Sequence, residues 1–343
     1  MAGKKEKQYG VVDVGSNSVR LSVYVKSDGA YPLRKVFDEK QVVGLSSYVN
    51  GGLLNDEGIR AAAKVVNRQV AHARLLGCEN LCVFATAALR NCSNSKSATK
   101  MFSKAIGLPV DLITGSREAE LGFAGILPEV DLCQGFLADI GGGSTEISAV
   151  RKGKVAATTS IPLGSLSLWR GHVAGLLPTR TEFEECRVQV KNALLELDAA
   201  TFLIDREPDA AREPDAAREK ETDRETDAAR NGLGSFATLY GIGGTIRTVN
   251  KMWAAYAELQ QADAQTRVTP EFVSRDQVKE LVAFALDCPD TYGHLLARIE
   301  PTRIHTVTSG LAILSELLDW TGAERVRRSK HGIREGYVLT HMV

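Results

Sequence analysis

VVDVGSNSVRL, residues 11–21, places an acid, a glycine and three small hydroxyl or amide side chains directly behind an apolar run. YGVVDV before the polar segment and LSVYVK after it are rich in β-branched residues, and they read as two arms of a hairpin with SNS as its turn. The plan then recurs. GFLADI (135–140) is a strand carrying Asp139 at its end, followed by GGGST and a second strand, EISAV. A third turn, GIGGTIRT (241–248), also follows an apolar run.

Glycine lets backbone amides converge on an anion with no Cβ in the way, and neighbouring hydroxyls add further donors. An acid at the strand end then positions Mg²⁺, directly or through water, against a bound phosphate. DIGGGST alone can equally be a tight hairpin. Three such turns, two of them on the same Asp-x-Gly plan, are hard to explain as turns alone.

Length and composition bound the rest. At 343 residues the chain is longer than one typical domain, and two domains are the natural expectation. Hydrophobic residues make up 44% and charged residues 24%, ordinary for a globular protein. Lysine plus arginine equals aspartate plus glutamate at 42 each, so no global positive field steers the chain to nucleic acid or an anionic membrane, and any anion site is local. The basic N-terminus lacks the apolar core of a signal peptide, and no run approaches the ~18 apolar residues of a membrane helix, so a cytoplasmic location is expected. Six cysteines (78, 82, 92, 133, 186, 288) form no C-x-x-C pair and match no histidine cluster; they read as reduced, mostly buried thiols. The six histidines show no metal spacing, and Trp169, Trp253 and Trp320 read as core or interface residues.

Short β runs alternate with helical stretches, which argues for an α/β layer structure. Residues 55–77 place Ile59, Ala62, Ala63, Val66, Val70 and Ala73 at helical spacing, with Asn55 to cap the start and Gly77 the end. LCVFAT and VDLIT read as further strands with a helix around SATKMFSKAIG between them, and Lys154 to Ile161 as a third strand of the second sheet. TPEFVSRDQVKELVAFAL reads as a helix with Thr269 as N-cap and Pro270 at its first position. A helix in SGLAILSELLDWTG and a final segment, HGIREGYVLTHM, close the chain. The restart of the pattern divides it into an N-terminal domain over residues 1–122 and a C-terminal domain over 123–343, whose final helix can pack back on the first. Residues 206–230 repeat a charged six-residue unit with almost no large apolar side chain, and they read as a disordered or frayed insertion, a docking tail being the alternative.

DVGSNSVRL, ATAALR, TGSREAELGFAG, DIGGGSTEIS, GIGGTIRT and HGIREG, in this order, resemble the exopolyphosphatase and guanosine pentaphosphate phosphatase (Ppx/GppA) family of the actin-like ATPase superfamily. The resemblance runs from about residue 9 to 343, apart from the charged insertion. It implies two actin-like (ribonuclease H-like) α/β domains, each a mixed sheet flanked by helices, with a cleft between them. It also implies site residues. Glu118 matches the catalytic glutamate, chosen over Glu120 because it precedes an alanine; a solvated acid at a helix start is the plain alternative. Arg20 and Arg90 match basic positions aimed at phosphate oxygens, where guanidinium suits by staying charged and bonding bidentately, although each can instead be a surface arginine. Gly15, Ser16, Asn17 and Ser18, then Gly141, Gly142, Gly143, Ser144 and Thr145, then Gly243, Gly244 and Thr245 are the implied phosphate-binding residues. Asp13, Asp139 and Glu146 are the implied Mg²⁺ acids, with a solvent-facing strand position the alternative for Glu146; Arg247 and Arg334 are further candidates.

The implied reaction is Mg²⁺-dependent hydrolysis of the terminal phosphate of inorganic polyphosphate, which needs an in-line water, a group to orient it and positive charge on the transferring phosphoryl oxygens. A chain that ends soon after HGIREG leaves no room for the extra helical domains of longer relatives, so a preference for shorter polyphosphates is expected. The nearest rival substrate is guanosine pentaphosphate. An actin-like small-molecule kinase and a non-catalytic polyphosphate or alarmone sensor are alternatives of other classes. Many members of the family are dimers, so a homodimer is expected, with no interface legible in the sequence.

Overall fold

Successive residues of the first strand bury their side chains in two different cores. Tyr9 and Val11 enter one and Val12 and Val14 the other, so the sheet they belong to is covered on both faces. A computed structural model describes residues 6–197, 237–260 and 269–343. The charged repeat at 206–230 lies outside the described residues.

In chain order the elements are β1 Gln8–Val14, β2 Ser18–Lys26, β3 Leu33–Val42, β4 Val49–Asn50, β5 Leu53–Leu54, α1 Asp56–Leu75, β6 Asn80–Ala85, α2 Ala87–Arg90, α3 Ser95–Ile106, β7 Val110–Leu112 and α4 Gly115–Ile126. There follow β8 Gly135–Ile140, β9 Thr145–Arg151, β10 Lys154–Ile161, α5 Ser165–His172, α6 Arg180–Leu195, β11 Thr238–Ile242, α7 Gly243–Gln260, β12 Phe272–Ser274, α8 Arg275–Asp287, α9 Pro289–Ile299, α10 Val307–Thr321, β13 Arg325–Arg328 and α11 Ile333–His341. The chain divides into a first unit of Met1–Asp131, Gly142–Glu146 and Lys330–Val343, and a second of Leu132–Gly141 and Ile147–Ser329.

The first unit holds a five-stranded sheet in the order β3-β2-β1-β6-β7. β1 and β2 are the expected hairpin, paired from Gln8 opposite Val25 to Val14 opposite Val19, while β6 runs parallel to β1. One face packs Val12, Val14, Leu21, Val23, Val83 and Ala85 against Ile59, Ala62, Val66 and Val70 of α1 and Phe102 of α3. Asn55 accepts the Gly58 amide and so caps α1, as its position suggests. The other face packs Tyr9, Val11, Tyr24 and Phe84 against Leu121 of α4 and Tyr337 and Val338 of α11, with the Phe84 and Tyr337 rings 5.0 Å apart. Residues from both ends of the sequence therefore complete one layer.

Helices α4 and α11 meet backbone on backbone. A Cβ placed on Gly336 would lie 1.8 Å from the Leu121 carbonyl oxygen, and one on Gly125 would lie 2.0 Å from that of Gly332. Only glycine fits at either position.

The second unit is built on a six-stranded sheet in the order β10-β9-β8-β11-β13-β12. β11 lies parallel to both β8 and β13. Its core gathers Phe136, Ala138 and Ile140 of β8, Leu239 of β11 and Ile246, Val249 and Met252 of α7 around α10, which is buried on nearly every side. Trp320 is part of this core, and Trp169 and Trp253 pack against it.

Two expectations need correction. The helix read from Thr269 begins five residues later: α8 starts at Arg275 under a capping box in which Ser274 accepts the Gln277 amide and Gln277 accepts that of Ser274. Phe272–Ser274 is drawn into the antiparallel strand β12 beside β13, and sheet pairing prevails over the Pro270 signal. The thiols are also less uniformly buried than expected, since Cys78, Cys92 and Cys186 are buried but Cys133 and Cys288 are exposed.

Candidate active site

Three loops of the first unit converge on Gly143. A Cβ at this glycine would fall 2.4 Å from Ser16 Oγ and 3.6 Å from Ala87 Cβ, so the GSNS turn, the GGGST turn and the start of α2 touch there with no room for a side chain. The GSNS turn is itself tied down: the Gly15 amide donates to Ser18 O at 3.1 Å, and Asn17 O accepts the amides of Val43 and Gly44. Thr86, which leads into α2, donates its amide to Val14 O and holds that helix beside the end of β1.

Arg90, the last residue of α2, sits between two carboxylates. Its Nη1 lies 2.5 Å from Glu118 Oε2 and donates to Ile113 O, while Nη2 lies 3.2 Å from Glu146 Oε1 and 3.5 Å from Ser144 Oγ. The Arg90 and Glu118 side chains are 15% and 11% exposed and that of Glu146 2%, so these charges interact through a medium that screens them far less than water. Glu146 also accepts from Ser144 Oγ at 2.8 Å. Glu118 reaches the cluster because Thr114 caps α4, accepting the Arg117 amide and putting Glu118 in the first turn. Glu120, the competing candidate, is 49% exposed and paired with Arg117 on the outer side. The geometry thus separates two acids that sequence alone left close.

Asp13 and Arg20 face other partners. Asp13 Oδ2 is 3.4 Å from Arg334 Nη1, and burial pushes its carboxyl pKa up against the opposing pull of Arg334 and Arg20. Arg20 makes a two-pronged bond to Asp38 of β3, which also accepts from Ser22. Burial disfavours the Asp38 charge, yet the Arg20 bond and charge, with Lys35 and Arg334, bring its pKa down to about 2. The structure therefore groups Arg90, Glu118, Ser144 and Glu146, and holds Arg20 in a separate pair. Asp38 was not legible as a partner because it lies across the β2–β3 ladder, opposite Ser22.

The third glycine turn belongs to the second unit. Gly243 opens α7 at a φ of +91°, and a Cβ there would lie 2.4 Å from Asp139 Oδ1, so the acid at the end of β8 rests on this glycine. Gly244 lies under the guanidinium of Arg303, 1.8 Å from where its Cβ would be, and Thr245 packs its methyl toward Gly310. Thr245 Oγ1 is buried and has no hydrogen-bond partner. Gly141 O accepts both the amide and the hydroxyl of Ser165. Arg303 and Ser165 carry no motif signal, since each comes from a segment distant in the chain from the turn it contacts.

Among the described residues no group of three or more His, Cys, Asp or Glu side chains is placed to hold a metal ion. A magnesium ion asks for less, commonly one or two carboxylates with water and substrate phosphates completing its shell. Asp13 fits that demand as a partly buried carboxylate, 18% exposed, with a long contact to a cation. Glu146 fits it poorly, because its oxygen already takes Arg90 and Ser144.

Paired Asp-x-Gly hairpins and a glycine turn opening a helix, on two mixed sheets flanked by helices, define an α/β protein of the actin-like class. The chain matches the Ppx/GppA phosphatase family over residues 22–205 and 209–343, and it belongs to that family. It is 27% identical to exopolyphosphatase 1 of Mycobacterium leprae over 282 residues, 81% of this chain and 80% of that protein. It is 24% identical to a guanosine-5'-triphosphate,3'-diphosphate pyrophosphatase of Vibrio cholerae over 189 residues, 54% of this chain but 37% of that protein. An exopolyphosphatase structure from Cytophaga hutchinsonii shares the fold at a TM-score of 0.74 and 19% identity, and the Aquifex aeolicus Ppx/GppA structure at 0.70 and 20%, each over 97% of both chains.

Proposed function

We propose that this protein is an exopolyphosphatase that removes the terminal phosphate of inorganic polyphosphate by hydrolysis with Mg²⁺ bound. The observation that carries the reading is the placement of Arg90 between Glu118 and Glu146 at the meeting point of the two glycine turns. A terminal phosphoryl group brings oxygens that compete with Glu118 for that guanidinium. When they take it, Glu118 gives up its bond to Arg90 and orients the attacking water, and Arg90 offsets charge on the transferring group. Glu146 and Ser144 keep Arg90 aimed, and the amides and hydroxyls of residues 15–18 and 142–145 hold the phosphate oxygens. Mg²⁺, which Asp13 would hold, would supply charge neutralisation on the phosphate chain. A homodimer, which rests on the family resemblance alone, and a cytoplasmic location, expected from the sequence, are part of the same proposal.

Phosphate release with Mg²⁺ is to be measured on tripolyphosphate, long polyphosphate, guanosine pentaphosphate and ATP. Polyphosphate turnover is expected, with Glu118→Gln lowering kcat at least about 100-fold, the scale of a lost general base. Faster cleavage of guanosine pentaphosphate would replace the substrate and keep the chemistry. Unchanged turnover in Glu118→Gln would remove Glu118 from its role, and a phosphorylated acceptor in place of free phosphate would make the protein a kinase.

A further inference from the structure

Arg20 has one edge of its guanidinium taken and the other open. Its Nε donates to Asp38 Oδ1 at 2.7 Å and its Nη2 to Asp38 Oδ2, so the carboxylate fills the side fork. Among the described residues Nη1 has no hydrogen-bond partner and is not sealed from solvent, and the side chain as a whole is 24% exposed. A guanidinium presents its donors in paired forks, and the end fork of Nη1 and Nη2 is left for a second oxyanion. Arg90 differs in this respect. Its Nε donates to Asn91, and both Nη1 and Nη2 are bonded to carboxylates, so Arg90 has to exchange a partner where Arg20 has only to add one.

The sheet fixes the acid that holds Arg20. Arg20 follows closely on the GSNS turn and stands opposite Asp13 in the β1–β2 ladder. Asp38 stands opposite Ser22 in the β2–β3 ladder, a diagonal step from Arg20 on the same face and within reach of a long side chain. The buried Ser22 hydroxyl donates to Asp38 Oδ1 at 3.0 Å, so the carboxylate is itself held where it grips the arginine. A free arginine side chain loses rotamer freedom when it binds a ligand, and one already fixed through a fork loses less.

We propose that Asp38 and Ser22 are positioning residues for substrate binding: Asp38 grips the side fork of Arg20, Ser22 steadies Asp38, and the end fork is thereby presented to a phosphate group at the GSNS turn. This rests on the reading of that turn as a phosphate site. The proposal fixes the sign of an effect. Asp38 places a negative charge beside a site for anions, so charge alone predicts that removing it tightens phosphate binding. Positioning predicts that removing it weakens binding.

Binding of methylenediphosphonate, which cannot be hydrolysed, is measured by calorimetry with Mg²⁺ present for the native chain, Asp38→Asn, Ser22→Ala, Arg20→Ala and the two double variants that carry Arg20→Ala. Asp38→Asn is expected to weaken binding about tenfold, the scale seen when a residue that orients a ligand-holding group is removed, and Ser22→Ala about threefold. In the Arg20→Ala background neither should weaken binding by more than about twofold, because their effect passes through the arginine. Tighter binding by Asp38→Asn in the native background would make Asp38 a competitor for Arg20 and overturn the proposal. Equal losses in both backgrounds would mean a merely structural role and overturn it too, as would a native chain that does not bind the probe. Should Asp38→Asn fail to fold, the Ser22→Ala cycle decides alone. A native chain that hydrolyses polyphosphate without the expected coupling would sink this proposal and keep the enzymatic reading, whereas the coupling without hydrolysis would do the reverse.

Discussion

Substituting Gly336 with alanine tests whether the crossing of α4 and α11 holds the first unit together. The added methyl would sit 1.8 Å from the Leu121 carbonyl oxygen and 2.9 Å from the Gly125 amide nitrogen, whereas ordinary contact begins near 3.4 Å. Both neighbours are backbone, so no rotamer change relieves the clash, and α11 has to retreat by roughly 1.6 Å. Overpacking of this kind costs about 1–3 kcal/mol. The retreat also loosens Tyr337 from Phe84, a stacked pair worth about 0.5–1.5 kcal/mol beyond its buried area. Alanine returns up to about 1 kcal/mol through helix propensity, leaving a net loss of about 2 kcal/mol from the middle of each range. Urea unfolding followed by circular dichroism reads this loss, with Gly171→Ala as the control: it lies in α5 with open space where its Cβ would go, and should be neutral or stabilising. Polyphosphate turnover of the folded Gly336→Ala protein should fall as well, because Arg334 of α11 reaches Asp13, the proposed Mg²⁺ acid. A Gly336→Ala protein as stable as Gly171→Ala would refute the claim that the helices are pinned at this crossing.

Two further outcomes follow from the electrostatics and the caps. Asp38 has its folded pKa lowered to about 2 from an ordinary 3.8, so its contribution to stability is full above 3.8 and is lost as pH falls toward 2. The native chain should therefore lose stability more steeply over that window than Asp38→Asn, by chemical denaturation at each pH, and parallel slopes would contradict the assignment. Ser274→Ala should cost about 1 kcal/mol by removing the α8 cap. Thr269→Ala should stay within about 0.5 kcal/mol, and a comparable loss there would restore the earlier helix start.

The strands were legible because strands buried on both faces read as short continuous apolar runs bounded by turn residues, as β1, β2, β6 and β8 do. Glu118 and Arg90 were legible through motif resemblance, and their meeting follows from the Thr114 cap and the short helix after Thr86. What escaped was set by partners far away in the chain. Asp38 holds Arg20 through cross-strand register, Arg303 covers Gly244 from a segment between α9 and α10, and Ser165 closes on Gly141. The start of α8 escaped for a related reason, since local Thr-Pro chemistry competes with a strand pairing to β13 that only the folded sheet supplies.

The return of residues 330–343 to the first unit has a consequence for biosynthesis. Domains generally fold as units during translation, N-terminal first. Here the first sheet can form early with Leu121 of α4 on the face that carries Tyr9, Val11 and Phe84, but that face stays only partly covered until α11 has been made, after every residue of the second unit. The nascent chain must therefore carry an exposed apolar surface through most of its own synthesis. A ribosome stalled before residue 330 would hold a first unit whose second core lacks Tyr337 and Val338, so the first unit is completed only after the second has been made.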